Sequence, residues 1–170
     1  MSIARAAGNV TKTVVFLIAF WTVFLFGIPI AISIVEVQLG IQRFPPLRVT
    51  AGLLLLVSTV VTVWASLTLA VAGNGTPLAS DPPRALTTTG PYAFVRHPFA
   101  AAATAQIVGL GLALGSVPVL GYALVAIATW YFLIRPREER ALDARFGDAA
   151  RHYRSRVRGF RPRFRKYRVR

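Results

Sequence analysis

Three uncharged runs restrict what this chain can fold into: Thr13 to Val35, Val49 to Ala72 and Phe99 to Ile134. Hydrocarbon offers no partner to backbone N–H and C=O groups, so apolar runs of this length are read as helices. About 20 such residues cross a hydrocarbon core of about 30 Å. The first two runs, about 23 and 24 residues, make one crossing each. The third, about 36 residues, exceeds one ordinary span and carries Gly115-Ser116-Val117-Pro118 near its middle, a turn signal that divides it into a tight hairpin. The predicted fold is therefore all-α: an integral membrane helical bundle of about four transmembrane helices, over 13–35, 49–72, 99–115 and 118–134, followed by a helical basic cytoplasmic C-terminal tail over 135–170. Residues 73–98, between the second and third helices of the membrane region 1–134, form a cytoplasmic motif loop expected to complete a site with the C-terminal segment.

Composition supports this, with 55% hydrophobic residues and a mean hydropathy of +0.55. Those values are too apolar for a soluble domain of 170 residues. The first run is longer than the 7–15 residues of a signal-peptide core, so it is expected to stay as an anchor, kinked by Pro29. The absence of cysteine removes disulfides, thiolate metal sites and a cysteine nucleophile. His97 and His152 lack carboxylates at metal-ligand spacing, so no metal is expected. Two Asn-x-Thr matches, at Asn9 and Asn74, are three-residue patterns and are not read as glycosylated.

Charge gives direction. Fourteen of the twenty Lys and Arg follow Ile134, against four of the six acids, an excess of ten. Positive loops stay on the cytoplasmic side, which puts the C-terminus there and, after four crossings, the N-terminus too. The expected location is multi-pass in the inner (plasma) membrane. Trp130, Tyr131 and Phe132 form an interfacial aromatic band where the last run ends. Residues 151–170 interleave ten cations with Tyr153, Phe160, Phe164 and Tyr167, a pattern suited to anionic lipid headgroups, at about 1 kcal/mol per cation near the surface. Nucleic acid would use similar residues, but the membrane supplies the simpler partner, and none is expected. Oligomeric state has no signal.

The loop ends in Gly90-Pro91-Tyr92-Ala93-Phe94-Val95-Arg96-His97-Pro98. Pro98 keeps His97 out of the α region and suits the first turn of the next helix, so Arg96 and His97 stand at a helix mouth that favours an anion. With the expected topology, Glu138-Glu139 face the same compartment. Adjacent acids just after a membrane helix run against the positive-inside bias and repel each other unless cations or a ligand stand near. Two readings stay open. Arg96 and His97 snorkel to headgroups while the acids cap a surface helix beside Arg135, Arg137 and Arg140, or the two pairs frame the ends of a zwitterionic, amino-acid-like cofactor. Gln106, the one strongly polar side chain in the hairpin, bonds a neighbouring helix or a ligand. The row Ala100 to Ala103, Ala105, Gly109, Gly111 and Gly115 suits close helix packing.

Gly75-Thr76-Pro77, Asp81-Pro82-Pro83, Thr89-Gly90-Pro91-Tyr92 and Val95-Arg96-His97-Pro98, followed by Arg137-Glu138-Glu139 and Phe146-Gly147-Asp148 with Tyr153, resemble the isoprenylcysteine carboxyl methyltransferase and phospholipid methyltransferase family of integral membrane enzymes. The resemblance covers about residues 73–163. It implies S-adenosylmethionine held in a cytoplasmic pocket made by the last two helices, the loop before them and the C-terminal helix, with a lipid or isoprenoid-type substrate entering from the bilayer. It further implies catalytic roles for His97, Arg96 and Glu139. Cofactor contacts would come from Tyr92, Arg96, His97, Pro98, Glu138, Glu139, Gln106 and Tyr153, with Glu138 or Glu139 on the ammonium end. The chain departs from the pattern at Ala100, Ala102 and Ala150, where the family has Tyr, Gly and Tyr.

Methyl transfer from a sulfonium is a one-step in-line displacement that needs alignment and exclusion of water, with no covalent residue. That agrees with the lack of any Ser-His-Asp or Cys-His arrangement. Two other classes remain open: a catalytically silent membrane protein of the same fold that binds lipid or a partner, favoured by the three alanines, and a nicotinamide-dependent membrane reductase, for which no phosphate-cradling Gly-rich loop is present.

Overall fold

The computed structural model describes residues 3–77, 81–160 and 167; among them every regular element is a helix. The long helix α1 runs Ile3–Gln38, ten residues earlier than the uncharged run suggested. The others are α2, Arg48–Val71; α3, Pro98–Leu114; α4, Val117–Thr129; and α5, Arg135–Arg156. A wider π turn, Trp130–Ile134, joins α4 to α5 without a break. Three helical stretches, Ile3–Gln38, Arg48–Val71 and Val117–Arg156, are long and apolar enough to cross a membrane, while Pro98–Leu114 is apolar but shorter. The protein is thus a helical membrane bundle.

Both wide turns share a cause. In α1 the π segment Trp21–Gly27 ends two residues before Pro29, and Trp130–Ile134 ends two residues before Pro136. Proline has no N–H to give the carbonyl four residues back, and its ring crowds that carbonyl, so the preceding turn widens. Pro29 acts through this loosened ladder.

α3 lies against α2 and α4. A methyl group on Gly109 would sit 2.9 Å from Leu55 Cγ, and one on Gly111 would sit 2.7 Å from Leu120 Cδ2, so the small-residue row is spent on close helix approach. Leu25, Ile107, Val119 and Ala123 form the buried core between α1, α3 and α4. Gly115 closes α3 in the left-handed region at φ 64°, and the Ser116 side chain accepts the Val119 N–H at 3.2 Å to start α4. At the same end, Phe44 N–H donates to Gly115 and Leu47 N–H to Leu112. There too the buried Glu36 takes the Arg43 guanidinium at 3.2 Å.

The opposite end holds the loop residues 72–77 and 81–97, the start of α1 and α5. Asn9 donates to the Ala70 carbonyl and to Asn74, both at 3.3 Å, which fixes the start of α1 to the end of α2. α5 breaks at Gly147, where φ 51° and ψ −124° turn the chain so that residues 148–156 fold back toward the loop. The tail beyond Phe160, with Phe164, lies outside the described residues apart from Tyr167.

Candidate functional site

A 3-10 turn, Gly90–Ala93, and the extended residues after it deliver Arg96 and His97 to the start of α3. Gly90 at φ 57° begins the turn, and a methyl group there would sit 2.7 Å from Thr68 Oγ1, so the loop can pass this close to α2 only with glycine. Pro98 takes the first helical position, as the X-Pro rule anticipates. The backbone amides of Arg96 and His97 donate to the carbonyls of Arg158 at 3.1 Å and Gly159 at 3.3 Å. The chain leaving α5 thereby pairs with the motif.

Tyr153 performs the second docking. Its hydroxyl donates to the Tyr92 carbonyl at 2.6 Å, with both rings buried. Burial raises the pKa of each phenol, so Tyr153 remains a donor at neutral pH. Tyr167, one of the tail aromatics, stacks edge-on to Tyr153 at 5.4 Å and donates its N–H to Ala93.

The cations and acids of the two motifs meet directly. Glu139 Oε1 lies 3.0 Å from Arg96 Nη2, 2.9 Å from Arg135 Nε and 3.5 Å from His97 Nε2, while Arg154 Nη1 stands 3.9 Å from Oε2. Glu138 Oε2 sits 3.7 Å from His97 Nδ1. Arg154 also holds Asp143 at 2.7 Å. The two pairs expected to grip opposite ends of a ligand thus neutralise one another, because a guanidinium as buried as Arg96 needs a counter-charge within reach. The local partners named for a plain surface helix divide: Arg135 joins the cluster, whereas Arg137 and Arg140 donate to the carbonyls of Leu133 and Pro136.

Electrostatics separates the two acids. At Glu139 burial pushes the pKa up, but the Arg135 hydrogen bond and the charges of Arg96 and Arg135 outweigh it, and the net shift is down. At Arg96 burial outweighs the pull of Glu139 and the shift is also down, although a guanidinium stays protonated. Depth and partner number explain the contrast: Glu139 is 17% exposed with several cations, Arg96 8% exposed with one close acid. Glu138 is raised by burial and then by Glu139, yet its side chain is 48% exposed, so solvent screens much of this. His97 is pushed down to about 4 by burial and then by Arg96, so it is neutral at pH 7. Its ring packs edge-on against Trp130 at 4.8 Å, and Trp130 does the same with Phe160 at 5.2 Å. Of the aromatic band, Trp130 alone covers the histidine, while Tyr131 and Phe132 stay exposed.

One feature of the cluster remains uncommitted. Arg96 Nε and Nη1 are buried and have no hydrogen-bond partner among the described residues. Arg96 lines a narrow cleft with Glu139, Asp143, Arg154, Tyr153 and Ala150, closed by Leu86 and Leu142 and about 10 Å3 in volume, room for one water. In charge, the neighbourhood suits a zwitterion. The two unpartnered Arg96 N–H groups can each donate to a carboxylate oxygen, and Glu138, which faces His97 outside this cleft and is the acid with the weaker commitments, matches an ammonium. The bulk of a zwitterion would require α5 to move outward from the motif.

Gln106 sits apart, about two turns along α3 from Pro98. Its amide donates to Thr59 on α2 at 2.9 Å, the helix-to-helix alternative among its expected roles. Sequence reasoning missed Arg135, Arg154 and Trp130 as members of the site. The i,i+4 spacing of Arg135 and Glu139 was a usable signal; Arg154 had none, because its approach depends on the turn at Gly147.

No curated protein and no solved structure matches the chain. The family model described as phospholipid methyltransferase matches residues 47–149, more than half of the chain, from the start of α2 through the arginine-histidine motif and both glutamates. The protein belongs to the phospholipid methyltransferase family of membrane methyltransferases.

Proposed function

We propose that this chain is a multi-pass membrane enzyme that uses S-adenosylmethionine to methylate a lipid, isoprenoid or other apolar acceptor, with the site and both termini on the cytoplasmic side. Family membership supports methyl transfer in general. The observation that carries the finer reading is the pair of buried Arg96 nitrogens, Nε and Nη1, that no group among the described residues satisfies, with the half-exposed Glu138 at the neighbouring His97. When bound, the cofactor supplies an electrophilic methyl group on a sulfonium. Arg96 takes its carboxylate, Glu138 its ammonium, and Glu139 holds Arg96 in place from the far side. Trp130 and Phe160, stacked over His97, keep water from the reacting centre.

The acceptor decides whether a proton must move. A carboxylate is already ionised, but an amine must lose a proton. His97, neutral with a pKa of about 4, is a poor base at pH 7.

A catalytically silent membrane protein is the second reading, favoured by the saturation of Glu139 and by Ala150 in the cleft where the family has Tyr. Calorimetric titration of the full chain in lipid nanodiscs with S-adenosylhomocysteine separates the two. Methyltransferase function predicts saturable binding that falls about tenfold or more in Arg96→Lys, which keeps the charge but loses the fork. Glu138→Gln weakens it similarly. Absence of binding by folded wild type refutes the enzyme reading.

A further inference from the structure

On the loop side of the bundle, sharing no lining residue with the cleft at Glu139, the first turns of α1 and the loop after α2 border an open polar cleft of about 250 Å3. Arg5, Lys12 and Arg84 line it, with Asn9, Asn74 and the acid Asp81. Three cations against one acid leave a net of two positive charges (3 − 1). Lys12 is held by Asp81 at 2.8 Å, while Arg5 and Arg84 form no ion pair among the described residues. Asn74 stands in the left-handed region at φ 51°, which asparagine tolerates, and its side-chain oxygen is taken by Asn9. Its amide N–H groups remain as neutral donors in the cleft wall. The volume is many times that of the one-water cleft beside Arg96, enough for a phosphate with its glycerol.

Depth argues for the source of such a phosphate. Lys12 is the last charge before the uncharged stretch of α1, so the cleft lies where the helix meets the headgroup layer. Four of its seven lining residues, Arg5, Gly8, Asn9 and Lys12, lie outside the 47–149 that match the family. We infer that this cleft binds the phosphate group of an anionic phospholipid and so ties α1 to the loop that precedes the arginine-histidine motif. The site is independent of the methyltransferase reading.

The test uses the full chain in detergent, with dihexanoyl phosphatidic acid as probe, dihexanoyl phosphatidylcholine as charge control and inorganic phosphate as competitor, read by thermophoresis. Wild type is expected to bind the acid in preference to the choline lipid. Arg5→Gln/Arg84→Gln weakens that binding about tenfold or more, while a charge-matched variant outside the cleft and the tail, Arg137→Gln/Arg140→Gln, changes it less than about twofold. Asp81→Asn, which removes the acid and frees Lys12, tightens it, and this variant decides the matter if the double variant does not fold. Failure of inorganic phosphate to displace the lipid assigns the site to a headgroup; displacement at equal concentration assigns it to free phosphate chemistry. Unchanged binding in Arg5→Gln/Arg84→Gln, or weaker or unchanged binding in Asp81→Asn, overturns the inference.

Discussion

Replacing Glu139 by leucine removes the one carboxylate that Arg96, Arg135 and His97 share. The cost is dominated by Arg96. Arg135 and Arg154 are 25% and 36% exposed and can turn to water, so their lost pairs are worth at most about 1 kcal/mol each. Arg96 is 8% exposed and already has two nitrogens without partners, and stranding a buried charge costs about 3–5 kcal/mol. Partial access of water at Glu139 favours the lower end. A loss of about 3 kcal/mol lowers the melting temperature by roughly 6–12 °C for a chain of this size. Arg96→Met alone leaves Glu139 with Arg135 and should cost less. The double variant removes both the stranded charge and its partner, so it should melt above Glu139→Leu. Circular dichroism of the detergent-solubilised variants measures all three. A double variant as unstable as the sum of the singles would refute the claim that a stranded Arg96 carries the cost.

Two further outcomes follow from the same geometry. The His97 pKa is about 4 in the folded chain against about 6.5 unfolded, so between those values the unfolded state binds more protons and stability falls as pH is lowered. Thermal unfolding across pH 6.5 to 5 should show this slope, and His97→Gln should flatten it; the raised Glu138 acts in the opposite sense and remains in both proteins. Tyr153→Phe removes the 2.6 Å bond to the Tyr92 carbonyl and should cost about 1–2 kcal/mol, with faster amide exchange over residues 148–158 than elsewhere. Uniform exchange through the chain would argue against Tyr153 as the anchor of α5.

Helix positions were legible because hydrocarbon leaves the backbone one solution over each uncharged run. The boundaries Arg48–Val71 and Pro98–Leu114 lie within a residue of those expected from where charges and Pro98 stop the runs. The start of α1 was not legible in this way, because Ile3 to Lys12 is polar enough to read as a flank and becomes helical where Asn9 bonds to the end of α2. The end of α4 was similarly hidden. Pro136 reads as an exit from the membrane, yet a wide turn lets the helix pass through it into α5.

The sequence by itself determined the chemistry on offer: an arginine and a histidine before Pro98, two glutamates after the last apolar run, no cysteine, and blocks that resemble a methyltransferase family. Only the tertiary structure decided how these are spent. Glu139 became the acid that balances Arg96, Glu138 the one left partly exposed, and Gln106 a partner of Thr59. Arg154 entered the cluster through the reversal at Gly147. The physical reason is burial. Residue types fix which charges a chain can pair, but which of them lose water, and so must pair, depends on helices separated by more than forty residues coming to lie side by side.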